Sequence, residues 1–239
     1  MIKTMVLQKE KIPILLSWSG GKDAACTLHR LRQGDIYEVR YLLTTFNKDH
    51  RSAMHETPEH LIEAQSEATG IPLLKIFVPE NDTNGYEKEL SKVLLQMRQK
   101  GIETVAFGDI HLQDLRAYRE QQLAQIGFKA LFPIWDIDSY TYLIDFFRSG
   151  FRSVICCVNE SMLPAGFCGQ QLTPALIASF PATADPCGEN GEYHSFCFEG
   201  PVFRHPIPYK ATGFFEKFFP SPVARRTQVR FHHLDLDRC

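Results

Sequence analysis

Ile12-Pro13-Ile14-Leu15-Leu16-Ser17-Trp18-Ser19-Gly20-Gly21-Lys22-Asp23-Ala24 is an apolar run, a double-glycine turn and the opening of a helix-patterned stretch. Adjacent glycines let the backbone take conformations closed to other residues and bring its N–H groups up against an anion. The helix that follows points its positive end at the same place. Strand, turn and helix N-terminus together therefore predict a phosphate cradle. The spacing is not G-x4-G-K-[ST], and G-x-G-x-x-G is missing, so neither of those two nucleotide fingerprints applies. An ordinary Gly-Gly turn between strand and helix has the same local pattern, and these residues alone leave it open.

Outward from the turn, short β-rich runs alternate with helical patterns, the signature of a parallel sheet with crossover helices. Strands are expected at Ile12 to Ser17, Glu38 to Phe46, Leu73 to Val78, Thr104 to Gly108 and Lys129 to Phe132. Thr57-Pro58 before Glu59 reads as an N-cap with proline at the first helical position, and Gly70, Gly101 and Gly127 read as helix ends. Ligands of such sheets sit beyond the carboxyl ends of the strands. Ser17 to Asp23, Thr44 to Phe46 and Gly108-Asp109-Ile110 would thus share one rim.

After about Trp135 the pattern changes. A helix from Ser139, β-like runs at Phe151 to Val158 and Tyr193 to Glu199, and a short helix opened by Thr173-Pro174 predict a smaller α+β domain. The expected division is 1–136 for a nucleotide domain and 137–239 for an acceptor domain, with a cleft between them.

The 239 residues carry a formal charge of −2 and no Lys/Arg-dense block, which excludes a general nucleic-acid surface. Arg225, Arg226 and Arg230 make the C-terminal tail locally basic, and it reads as a solvated end. No segment has the length of a membrane span, and the Ile12 to Leu16 run is too short for a signal-peptide core, so a cytoplasmic location is expected. Seven cysteines without a C-x-x-C pair predict reduced thiols, with Cys156-Cys157 packed as small hydrophobes. His29, His50, His55, His111 and the His232-His233 pair lack metal-ligand spacing and read as structural or surface residues.

Two more stretches carry polar chemistry. Gly108-Asp109 at a strand end leads into a helix bearing Arg116 and Arg119, three apart and so on one face. Asp109 suits Mg2+ or a ribose, and the two guanidinium groups suit a polyanion. An exposed helix face with local ion pairs is the alternative. The loop Asp185-Pro186-Cys187-Gly188-Glu189-Asn190-Gly191-Glu192-Tyr193-His194-Ser195 gathers three carboxylates, a thiol and a histidine. These acids could bind Mg2+, receive an amine or act as general base. An Asn-Gly hairpin turn is the competing account, and Cys187 reads as a bystander thiol.

Ser19 to Ala24 resembles the pyrophosphate loop S-G-G-x-D-[ST] of ATP pyrophosphatases, with Ala24 in place of the hydroxyl residue. Together with Gly108 to Glu120, Phe132-Pro133-Ile134-Trp135-Asp136 and Gly188 to Pro201, in that order, it resembles the diphthine–ammonia ligase family. The resemblance implies an α/β fold, a parallel doubly wound sheet of the adenine nucleotide alpha hydrolase (HUP) type with a smaller α+β C-terminal domain. It also implies ATP with Mg2+ as cofactors, ammonia as a substrate, and adenylation of a carboxylate acceptor before amidation. Ser17, Ser19, Gly20, Gly21, Lys22, Asp23, Gly108, Asp109, Arg116 and Arg119 would bind the nucleotide, chiefly through the amides of residues 20–23, with Asp109 on the metal. Asp23, Glu189, Glu192 and His194 would be catalytic, the last three handling acceptor or ammonia. The family run E-G-G-E-x-E-[ST] is altered here, with Asn190 for a glycine and His194 for an acid. That points from the elongation-factor diphthine residue toward another acceptor, such as a corrinoid. A non-catalytic nucleotide sensor is the alternative reading, and a homodimer is left open.

Overall fold

The computed structural model describes residues 10–78, 85–220 and 228–239, so Arg225 and Arg226 lie outside the described residues. The first half runs β1 (Ile12–Ser17), α1 (Lys22–Gln33), β2 (Tyr37–Phe46), α2 (Glu59–Thr69), β3 (Leu73–Phe77), α3 (Gly85–Arg98), β4 (Thr104–Ala106), α4 (Gln113–Gln125) and β5 (Lys129–Leu131). These five strands form one parallel sheet in the order β3-β2-β1-β4-β5. The order reverses at β1, which pairs β2 on one side and β4 on the other. In doubly wound sheets that switch point is where ligands bind.

β1 shows why its sequence is a continuous apolar run rather than an alternation. Ile14 and Leu16 belong to one core with α1 and α2, while Leu15 belongs to a second core with α3. Both faces are covered, so each residue must be apolar. Gly70 closes α2 in the left-handed conformation, as expected. The start of that helix differs from expectation: Pro58 itself holds the cap position, and no side chain caps the helix. Thr57 is turned into the interior instead.

The second half contains α5 (Ser139–Arg148), β6 (Arg152–Asn159), α6 (Pro174–Ala178), β7 (Tyr193–Glu199), β8 (Tyr209–Pro220) and β9 (Gln228–Arg238). The cap logic holds here, because Thr173 accepts a hydrogen bond from Leu176 N–H at 3.1 Å and Asp138 accepts one from Thr141 N–H at 2.9 Å. The four strands form an antiparallel sheet in the order β7-β6-β9-β8. The tail is therefore no solvated end over 228–238. It forms β9, an interior strand, in which Arg230 pairs with Glu160 and Glu216.

The main core does not stop at the first sheet. Val154, Ile155, Phe196 and Leu234 of the antiparallel sheet share it with Ile14, Leu28 and Ile62. All six described cysteines other than Cys239 are free and at least half-buried, and Cys156 and Cys157 are fully enclosed. No helix among the described residues is long and apolar enough to cross a membrane.

Candidate functional site

The double-glycine turn leaves the carboxyl end of β1 at the switch point. Gly20 has φ +83°, and a Cβ there would lie 2.5 Å from Ile62 Cδ1 and 2.9 Å from Gln65 Oε1. Only glycine meets both conditions. Gln65 is the hub beneath it: its amide donates to Gly20 O at 2.9 Å and Cys197 O at 2.7 Å, and its oxygen accepts from Trp18 Nε1 at 2.8 Å. Cys197 N–H also donates to Gly20 O at 2.9 Å. The antiparallel sheet is thus stitched to the turn through backbone.

A cavity of about 710 Å³ opens over this turn. Ser17, Ser19, Lys22, Asp23, Gly108 and Asp109, all from the rim read in the sequence, line it, and so do Arg119, Glu189 and His194. Gly108 reaches the turn because its Cα can lie against backbone: a Cβ there would be 3.0 Å from Asp23 C. Gly20, Gly21, Arg116 and Glu192 are not part of the cavity wall.

The charges in the cavity come in pairs. Lys22 Nζ lies 2.8 and 2.9 Å from the two oxygens of Asp23, and the Tyr142 hydroxyl donates to Asp23 Oδ1 at 2.8 Å. Burial works against the Lys22 ammonium, yet the adjacent Asp23 carboxylate outweighs it and pushes its pKa up. Arg119 Nε lies 2.7 Å from Asp109 Oδ2, and its guanidinium covers the Phe107 ring at 4.3 Å. Burial raises the Asp109 carboxyl, with Arg119 pulling the other way. Arg116 goes elsewhere, onto Trp135 at 4.6 Å and Glu120 at 2.9 Å. The two arginines expected on one face therefore diverge, because one finds a buried carboxylate and the other a half-buried indole.

The cradle amides are partly engaged already. Gly21 N–H donates to Ser19 Oγ at 3.2 Å, and Lys22 N–H donates to Ser195 Oγ at 3.1 Å. Gly21 and Lys22 are two of the four residues whose amides are expected to carry most of the pyrophosphate contact, and a ligand there has to displace two hydroxyls.

Loop 185–195 divides its acids by place. Glu189 faces the cavity and accepts from Ile110 N–H at 2.7 Å and His111 N–H at 3.3 Å. Burial, with the Asp23 charge behind it, raises its pKa to about 7. Glu192 is fully buried, accepts from Asp185 N–H at 2.9 Å, and braces the loop from inside. The Asn-Gly pair makes no hairpin, since the loop leads from α6 into β7. Its left-handed residues are Gly188 and Gly191. Cys187 is buried, with its thiol pushed up to about 12 by burial, in keeping with a bystander.

Sequence reasoning set His55 aside as structural or surface. It lines the cavity, packs against His194 with ring centroids 4.6 Å apart and planes tilted by 35°, and donates from Nδ1 to Ser195 O at 3.0 Å. Burial lowers both imidazoles, His55 to about 4 and His194 well below its ordinary value, with Lys22 adding to the effect. Tyr142 and Gln65 were also missed. No local pattern marks these three, because their partners lie 45 or more positions away in sequence, as at Gly20 and Asp23 and at Ser195.

Among the described residues no group of three metal-ligating side chains converges. The charged residues of the wall are Lys22 and Arg119 against Asp23, Asp109 and Glu189. With no surplus of positive charge, a polyphosphate would need a counter-ion, and a divalent cation held by phosphate oxygens and one carboxylate fits that donor set.

Residues 12–130 match the model of the diphthamide synthase N-terminal domain family, a span that holds the parallel sheet and the double-glycine turn. This match supports the diphthine–ammonia ligase family for the chain. Over 213 residues it is 25% identical to a diphthine–ammonia ligase of Schizosaccharomyces pombe, covering 79% of this chain and 34% of that protein. The chain thus spans about a third of the length of this ligase relative.

Proposed function

We propose that the chain is an ATP-dependent, AMP-forming amidoligase, with residues 1–136 holding ATP and 137–239 facing the acceptor. The observation that carries this reading is one cavity in which Glu189, with a pKa of about 7, faces the Asp23 end of the double-glycine turn. A carboxylate is a poor electrophile, so its oxygen attacks the α-phosphorus and pyrophosphate leaves. Ammonia then attacks the acyl carbon, loses a proton, and AMP departs with the C–O bonding pair. Glu189 titrates where a general base for that proton is useful. Ser17, Ser19 and Gly108 frame the nucleotide, while Lys22 and Arg119 neutralise phosphate charge once their pairs with Asp23 and Asp109 loosen. Mg2+ would supply further neutralisation, with Asp109 as its protein ligand. His194 stands where the family run has an acid, which favours a small carboxylate acceptor, such as a corrinoid side chain, over the diphthine residue. A cytoplasmic setting suits ATP and ammonia as substrates.

The test is to incubate the protein with ATP, Mg2+, ammonium and a panel of carboxylates. Acceptor-dependent release of AMP and pyrophosphate is expected. Background release with every acceptor would overturn the reading. A non-catalytic nucleotide sensor has one observation on its side, the engagement of the Gly21 and Lys22 amides by Ser19 and Ser195. Tight nucleotide binding with no AMP formed, unchanged in Glu189→Gln, would select it.

A further inference from the structure

The loop between β2 and α2 is bent at a cost. His50, Met54 and Glu56 have φ of 55°, 62° and 55°, values that side-chain-bearing residues rarely adopt. His55 N–H donates to Ala53 O at 2.7 Å, closing a γ-turn around Met54. Such strain of about 1–3 kcal/mol per residue persists only where the surroundings over-determine it, and it concentrates at ligand clamps. The surroundings here do so. Ser52 N–H donates to Thr57 O at 2.8 Å and Glu56 N–H to Ser52 O at 2.9 Å. The Arg51 guanidinium donates to Glu56 O at 3.0 Å, and Lys217 of β8 holds the Glu56 carboxylate at 2.7 Å.

The residue that follows Met54 in this bend is His55. A Cβ built on Gly21 would lie 2.7 Å from His55 Cε1, so the ring abuts the double-glycine turn itself. We propose that His55 is a phosphate-binding residue, contacting the pyrophosphate portion of a bound nucleoside triphosphate as an imidazolium. The inference rests on the nucleotide-binding part of the function proposed above and adds to it a residue and a proton.

The hydrogen bond to Ser195 makes the protonation necessary. A carbonyl oxygen only accepts, so Nδ1 of His55 carries its hydrogen and Nε2 of the neutral ring presents a lone pair. A lone pair repels phosphate oxygen, whereas a protonated Nε2 donates to it. Several groups face the ring. Lys22 opposes its positive charge and Asp23 favours it, both from α1; the His194 ring lies tilted against it from β7; His233 on β9 is within electrostatic reach; and the Cys156 thiol of β6 donates to His55 O at 3.6 Å. In the free protein burial keeps the ring neutral at pH 7. Phosphate charge beside it raises the pKa, so binding takes up a proton, and affinity falls as pH rises through the pKa of the bound state.

The test is calorimetry on the full chain with inorganic pyrophosphate and with α,β-methylene-ATP plus Mg2+, near neutral pH, in buffers of different ionisation enthalpy. Net proton uptake is expected for the natural protein. His55→Gln and His55→Phe should bind about tenfold or more weakly, without uptake. In 15N spectra of the natural protein, the His55 ring should change from neutral to protonated on adding pyrophosphate, a readout independent of whether the variants fold. Binding without uptake and a ring that stays neutral would overturn the inference while leaving the nucleotide reading in place. Uptake lost in His194→Gln but kept in His55→Gln would overturn it as well. Failure of the natural protein to bind either ligand would remove the nucleotide reading and this inference together.

Discussion

The residues flanking the double glycine and those of loop 185–195 line one cavity and are built on different logics. Residues 19–23 follow one another, and the strand and helix on either side fix where they point. Loop 185–195 sends neighbours to different places: Glu189 into the cavity, Glu192 into the interior, and Ser195 back onto the amide of Lys22. The lesson is that the turn is not self-sufficient. Its carbonyl at Gly20 is held by Gln65 and Cys197, and one of its amides by Ser195, so the second sheet helps to shape the first sheet's loop.

The largest effect on this contrast should come from Gly20→Val. A β-branched residue at φ +83° with a Cβ 2.5 Å from Ile62 should cost about 3–5 kcal/mol, read from urea unfolding, and should abolish nucleotide binding. A loss under about 1 kcal/mol would mean that the turn relaxes freely. Next is Gln65→Ala, which leaves Trp18 Nε1 and Cys197 O without this buried partner and should cost about 2–4 kcal/mol. Were nucleotide affinity to survive that change at full strength, the cradle would be independent of its support.

Glu189→Gln tests the other side of the cavity through pH. The carboxyl is raised from 4.5 to about 7, so the folded state holds its proton more tightly than the unfolded chain does. The burial penalty is absent below the ordinary value and grows as pH rises through 7. The variant should therefore match the natural protein near pH 4 and be about 1–3 kcal/mol more stable near pH 8. Equal stability at both pH values would place Glu189 in ordinary solvent. The smallest effect belongs to Tyr142→Phe, which removes the hydroxyl from Asp23 and should cost about 1 kcal/mol in thermal unfolding.

Reading the sequence placed the parallel strands to within two residues, because each combines a short apolar run with glycine or proline punctuation. It missed β8 and the interior position of β9. In β8 the phenylalanines alternate between solvent and a half-buried face, as Phe214 and Phe218 are exposed while Phe215 stacks on His233. The polar residues of β9 conceal that the strand is flanked on both sides.

The chain order of strand, double glycine and helix determined by itself that a glycine turn leading into a helix N-terminus would stand at the end of β1, since backbone conformation and helix direction are local properties. The tertiary structure alone decided which amides remain open, which of two nearby glutamates meets the cavity, and that a strained loop lays His55 against Gly21. Those outcomes depend on groups brought together from distant parts of the chain, and both burial and charge act through space rather than along the sequence.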